Sequence, residues 1–149
     1  MREINNIIIH CSATAEGRDF RADDIKRMHL QRGYRDIGYH YVVDLDGTIE
    51  KGRPIEEIGA HCKGYNKHSI GVCYIGGVDT TGKAKDTRTQ AQKEALIKLL
   101  TEIKREWPNA KIAGHRDFSE DKNGNGKIDP WERMKECPCF DAIPEYTYI

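Results

Sequence analysis

The stretch NNIIIHCS, residues 5–12, constrains this chain more than any other. A short continuous apolar run offers no face to water, so it reads as a strand covered on both sides. SIGVCYIGG, residues 69–77, is a second such strand, stopped by Gly76 and Gly77. AKIAGHRD, residues 110–117, is a third and shorter one that ends at a histidine. Strands buried on both faces need helices above and below them. Two segments supply these. FRADDIKRMHLQRGY turns Ile25, Met28 and His29 inward and carries Gly33 near its end. TRTQAQKEALIKLLTEIKREW, the longest helix, places Ala95, Leu96, Leu99, Leu100 and Ile103 on one face, with Pro108 just beyond. Between them, GYHYVVDLDGTIEKGRP reads as a hairpin in which Tyr39, Tyr41 and Val43 alternate with His40 and Val42. EEIGAHCKGYNKHS reads as loop. The order strand, helix, hairpin, strand, helix, strand predicts an α/β fold: a central mixed β-sheet flanked by helices.

Composition excludes several roles. The 24 Lys and Arg balance 24 Asp and Glu, so no basic stripe would steer nucleic acid. No apolar run reaches the length of a membrane span. At 149 residues, without repeat or linker, the chain is expected to form one domain, 1–149, and a monomer is the simplest state. Three isoleucines are too few for a signal-peptide core, so synthesis in the cytoplasm without a signal peptide is expected. Five cysteines, an odd number, argue against a disulfide framework and for reduced thiols, some of them metal ligands. Cys11 and Cys73 read as inert core thiols, while pairing of Cys62 with Cys139 stays open.

Two strands deliver a histidine, His10 and His115, at their C-terminal ends. Open α/β sheets place ligands at those ends. If the strands are neighbours, both imidazoles enter one crevice, and KECPCFD offers a thiolate as third ligand. Two His and one Cys leave a tetrahedral zinc with one open position, the arrangement of a catalytic site. Spacing alone leaves the alternative of two satisfied core or rim histidines standing, and it does not choose between Cys137 and Cys139.

The blocks HCSAT, GYHYVVDLDGTIEKGR, GAHCKGYNKHSIGVCYIGG, GHRD and KECPCFD, in that order, resemble the zinc N-acetylmuramoyl-L-alanine amidases, which include the amidase-type phage lysozymes and the peptidoglycan recognition proteins. The resemblance runs from residue 4 to residue 141. It implies that His10, His115 and Cys137 are the zinc ligands, Cys137 because the family places the ligand directly before the proline. It implies that Tyr39 and Lys135 are catalytic and that His61 lies beside the substrate, and KGYNKHS, with Asn66, would hydrogen-bond to it. The implied partner is peptidoglycan and the implied reaction is hydrolysis of the amide between N-acetylmuramic acid and L-alanine, at the bacterial cell wall. Zinc would lower the pKa of a bound water to about 7. Lys135 would help stabilise the oxyanion, and Tyr39 would orient the water or the attacked carbonyl.

One stretch departs from the simpler family members. DKNGNGKIDPWE, within an insertion at 119–133, matches the calcium-loop template. Asp121, Asn123, Asn125, Lys127 (through its carbonyl), Asp129 and Glu132 stand at positions 1, 3, 5, 7, 9 and 12. A lone structural Ca²⁺ site, with a dissociation constant on the order of 10⁻⁴ to 10⁻³ M, would close the excursion. The same residues also spell a helix start, with Asp129 as N-cap, Pro130 at N1 and Glu132 completing a capping box. GHRDFSE belongs to the preceding strand end, so no helix is expected before Asp121. Three other functions remain: a non-catalytic peptidoglycan-binding module, a cytosolic muropeptide-recycling amidase, and a calcium-regulated interaction protein. The first two are disfavoured because the cysteine ligand is present, and the third because no second calcium loop exists.

Overall fold

A computed structural model describes residues 2–149. The three apolar runs form adjacent parallel strands. Strand β1 (Asn6–Cys11) lies between β5 (Ser69–Tyr74) and β7 (Lys111–Gly114). β3 (Tyr41–Val43) pairs parallel to β5 and antiparallel to β4 (Ile49–Lys51), giving the order β4-β3-β5-β1-β7. The sheet is mixed, as the sequence predicts. A minor parallel pair, β2 (Thr14–Ala15) with β6 (Gly77–Val78), stands beside it.

Alternation along the strands sorts the two faces. Ile7, Ile9, Val43, Ile70, Val72 and Tyr74 pack on α2 (Gln90–Glu106) through Leu96, Leu99 and Leu100. Thr89 caps α2: its Oγ1 accepts from Gln92 N at 3.0 Å, and Gln92 Oε1 accepts from Thr89 N at 2.9 Å. On the opposite face Val42 and Ile75 pack with Ala22 and Ile25 of α1 (Ala22–Gln31) and with Ile37. A short α3 (Ala142–Glu145) packs beside β7.

Two boundaries differ from the sequence reading. The hairpin is shorter, and Tyr39 and His40 precede β3 rather than lying in it. They stay extended through His40 N to Gly71 O (2.9 Å) and Arg53 N to Tyr39 O (2.9 Å). Gly52 permits this, since a Cβ there would lie 2.4 Å from the Tyr39 carbonyl oxygen. After β7 the chain does not continue as strand. It winds at once into a 3₁₀ turn, His115–Phe118, which Asp117 fixes by accepting from Gly114 N at 2.7 Å.

Candidate metal centre

The register of β1 and β7 brings the two histidines together. Ile9 stands beside Gly114, so the next residues, His10 and His115, leave the sheet side by side. Their rings lie 4.6 Å apart. The chain then returns through the insertion and delivers Cys137 to the same point. Arg116 N donates to the Cys137 carbonyl at 2.8 Å, and Cys11 N donates to Cys137 Sγ at 3.1 Å. Tyr74 Oη anchors the next residue by donating to Pro138 O at 2.6 Å. Gly114 makes room for that proline: a Cβ there would lie 2.5 Å from its Cδ. One donor atom from each of His10, His115 and Cys137 lies within 4.8 Å of the others. Among the described residues this is the one group of three or more His, Cys, Asp or Glu side chains so placed.

The electrostatics suit a metal. Burial, then the neighbouring His61, His115 and Lys135, holds His10 well below the usual histidine value. Burial, then Lys135, brings His115 down to about 4. Both imidazoles are therefore neutral at pH 7, the form that ligates. Two neutral imidazoles and a thiol are a donor set for zinc with one position left open.

His61 lines the cleft and also backs the first ligand. It is buried behind His10, with His10 Nε2 and His61 Nδ1 at 2.9 Å. That contact leaves His10 Nδ1 for an ion. With Nδ1 so used, Nε2–H donates to His61 Nδ1, and His61 Nε2–H points to Ser69 Oγ at 3.3 Å. Burial, then repulsion from His40, pushes His61 down to about 3, so the relay carries no charge. Gly71 opens the space, because a Cβ there would lie 2.6 Å from the His61 ring. The sequence reading missed this relay. An isolated glycine inside the buried strand SIGVCY was the signal for a close approach.

The remaining residues surround a cleft of about 560 Å³ lined by His61, Asn66, His115, Phe118, Met134 and Lys135. Tyr39 packs on His10, their rings 5.0 Å apart. Burial raises its phenol well above the usual value, so it stays a hydrogen-bond donor. Lys135 is exposed at the cleft. Asn66 braces the loop: its Oδ1 accepts from His61 N and Cys62 N, both at 2.9 Å. His40 is turned away from the three ligands, its Nδ1 accepting from Gly71 N at 3.0 Å.

The calcium reading finds no support in the insertion. Asp121 accepts from Gly124 N and Gly126 N, at 3.1 and 2.8 Å. Buried Glu132 accepts from the amides of Lys122, Asn123 and Asp129. The Asn123 and Asn125 amides both donate to Asp129 Oδ2 at 3.0 Å, and Lys127 N donates to Asn125 Oδ1 at 2.9 Å. The template residues hold one another and their own backbone, and Asp121, Asp129 and Glu132 do not converge on one point. The helix start appears as a 3₁₀ turn at Pro130–Glu132. Cys62 and Cys139 are unpaired, and Cys139 faces Cys11.

The family model described as N-acetylmuramoyl-L-alanine amidase matches residues 1–138. The endolysin of Klebsiella phage KP32 is 37% identical over 140 residues, 94% of this chain and 83% of its own length. Among solved structures, the N-acetylmuramoyl-L-alanine amidase LysC from Clostridium intestinale URNW superposes with a TM-score of 0.72 at 25% identity, covering 97% of this chain and 82% of LysC. The ectodomain complex of peptidoglycan recognition proteins LCa and LCx, bound to tracheal cytotoxin, superposes with a TM-score of 0.71 at 29% identity, covering 97% of this chain and 81% of the matched one.

Proposed function

The chain belongs to the N-acetylmuramoyl-L-alanine amidase family and acts in peptidoglycan hydrolysis, and from that premise we propose that His10, His115 and Cys137 hold a catalytic zinc ion. One amidase domain, 1–149, carries the activity, and the insertion at 119–133 serves it by returning Lys135 and Cys137 to the cleft. The observation that carries this reading is the convergence of three donor atoms from β1, the turn after β7 and the returning segment. The bound ion would supply Lewis acidity and a water acidic enough to yield hydroxide near neutral pH.

The chain's own residues do the rest. The cleft receives the muramoyl-alanine amide, with the stem peptide along Asn66 and Phe118. Tyr39, kept protonated by burial, donates a hydrogen bond to the attacked carbonyl oxygen. The Lys135 ammonium faces the negative charge that develops there. Removing one such donor costs on the order of 3 kcal/mol of transition-state stabilisation. His61 and Ser69 hold His10 in one tautomer and one orientation. By analogy with the endolysin relative, the protein is made in the cytoplasm and acts on the cell wall.

Metal analysis of purified protein, paired with His10→Ala and Cys137→Ala, tests the proposal. The parent is expected to carry zinc near one equivalent and to release free stem peptide from isolated sacculi. Both variants are expected to lose the zinc and the release. A zinc-free parent that still turns over sacculi would overturn the reading.

A further inference from the structure

Three thiols, Cys11, Cys137 and Cys139, meet at the end of β1. Cys137 Sγ turns to His10 and His115, while Cys139, two residues on, passes the end of β1. There its sulfur lies 4.0 Å from Cys11 Sγ. Cys11 follows His10 in β1, so its side chain turns to the face that α2 covers, where Cys137 and Cys139 both pack against it. Gly77 forms the seat for both sulfurs. Its carbonyl accepts from Cys139 Sγ at 3.3 Å, and a Cβ on it would lie 2.4 Å from Cys11 Sγ. Cys139 is half-buried and Cys11 is buried, so an oxidant meets Cys139 first.

We infer that Cys11 and Cys139 are a redox pair that closes to a disulfide and locks the Cys137 segment onto β1. A low-molecular-weight disulfide is the oxidant. Cys139 attacks it, forming a mixed disulfide and releasing one small thiol. Cys11 then attacks the Cys139 sulfur, the Cys11–Cys139 bond forms, and the second small thiol leaves. The protein loses two electrons and two protons, and the small disulfide is reduced to two thiols. The link closes a segment of 128 residues, which restricts the unfolded chain. The pair stays open in a reducing cytosol and closes where the surroundings oxidise. The inference stands on the sulfur geometry and holds whether or not the chain hydrolyses peptidoglycan.

The test uses the protein as purified with its metal, incubated separately with oxidised glutathione and with diamide. Free thiols are then alkylated and the digest is mapped by mass spectrometry. The expected product is two hydrogens lighter, yields one cross-linked peptide joining Cys11 to Cys139, keeps its metal, and melts roughly 10 °C higher than the reduced form. Cys139→Ala is expected to give no cross-link and no rise in Tm on oxidation, with metal content equal to the parent's. Cys11→Ala, expected to stop at a glutathione adduct on Cys139, serves if that variant fails to fold. Full alkylation of both cysteines after either oxidant overturns the inference. So does a cross-link through Cys137 accompanied by metal loss.

Discussion

β1 presents two different surfaces from six residues. Ile7 and Ile9 turn to α2 and meet Leu96, Leu99 and Leu100. His10, between Ile9 and Cys11, turns the other way and meets Tyr39, His61 and His115. The first surface is held by apolar area, which is non-directional and contributes about 1.5–3 kcal/mol for each large side chain fully buried. The second is held by directed contacts, each with one partner: His10 on His61, His61 on Ser69, His40 on Gly71. The α2 face therefore supplies stability, and the cleft face spends its buried volume on neutral histidines and their directed hydrogen bonds.

Deleting part of the apolar face tests how separate the two are. Leu96 is fully buried against β1 and β5. Leu96→Ala is expected to lower unfolding free energy by about 2–5 kcal/mol, read by urea denaturation. The zinc affinity of the molecules that remain folded should match the parent's. A fall in affinity together with stability would show that the faces are coupled through β1.

The relay gives a smaller effect on the other face. His61→Ala removes the group that orients His10 and leaves all three ligands in place. Zinc affinity, measured by chelator competition, is expected to fall about 10- to 100-fold. Unchanged affinity would reduce His61 to a lining residue of the cleft.

The two faces also differ in how much of them the sequence reveals. Apolar runs and helical periodicity report burial directly, so β1, β5 and α2 are legible, and so is a histidine at the end of β1. Whether His115 joins His10 depends on strand order, which no local pattern encodes. Cys137 and Cys139 look alike in spacing; in the fold Gly114 admits Pro138 and Arg116 N donates to the Cys137 carbonyl, and Cys137 is the thiol that reaches the two histidines. His61 sits in a segment read as loop, 51 residues from its partner, and only Gly71 hints at the contact. The calcium template is a pattern of the same local kind. It specifies residue types at fixed spacing, and in this loop Asp121 and Glu132 satisfy backbone amides instead.

The smallest predicted effect separates charges of opposite behaviour on the cleft face itself. Beyond β3, Asp44 is fully buried; its Oδ2 accepts from Arg21 at 3.1 Å, and its Oδ1 has no donor among the described residues. Glu50, which accepts from Ala22 N at 2.8 Å, stands beside it. Burial, then a shared hydrogen bond with Glu50 and its repulsion, pushes Asp44 up to about 7, against 3.8 in an open chain. Between those values the folded protein keeps a proton that the unfolded chain has released. This part of the stability is complete below pH 3.8 and is lost as pH rises through about 7. The histidines act the other way. His115 and His40 sit at about 4, below the usual 6.5, so their part is complete above 6.5 and is lost as pH falls through 4. In metal-free protein the two trends oppose each other between pH 4 and 6.5. Asp44→Asn removes one of them, so its stability should climb more steeply with pH than the parent's. The expected divergence is on the order of 1 kcal/mol over that window, below the ideal one-proton slope because partly exposed Arg21 screens the pair. Urea midpoints at pH 4.5 and 6.5 measure it. Parallel curves would mean that Asp44 is ionised throughout.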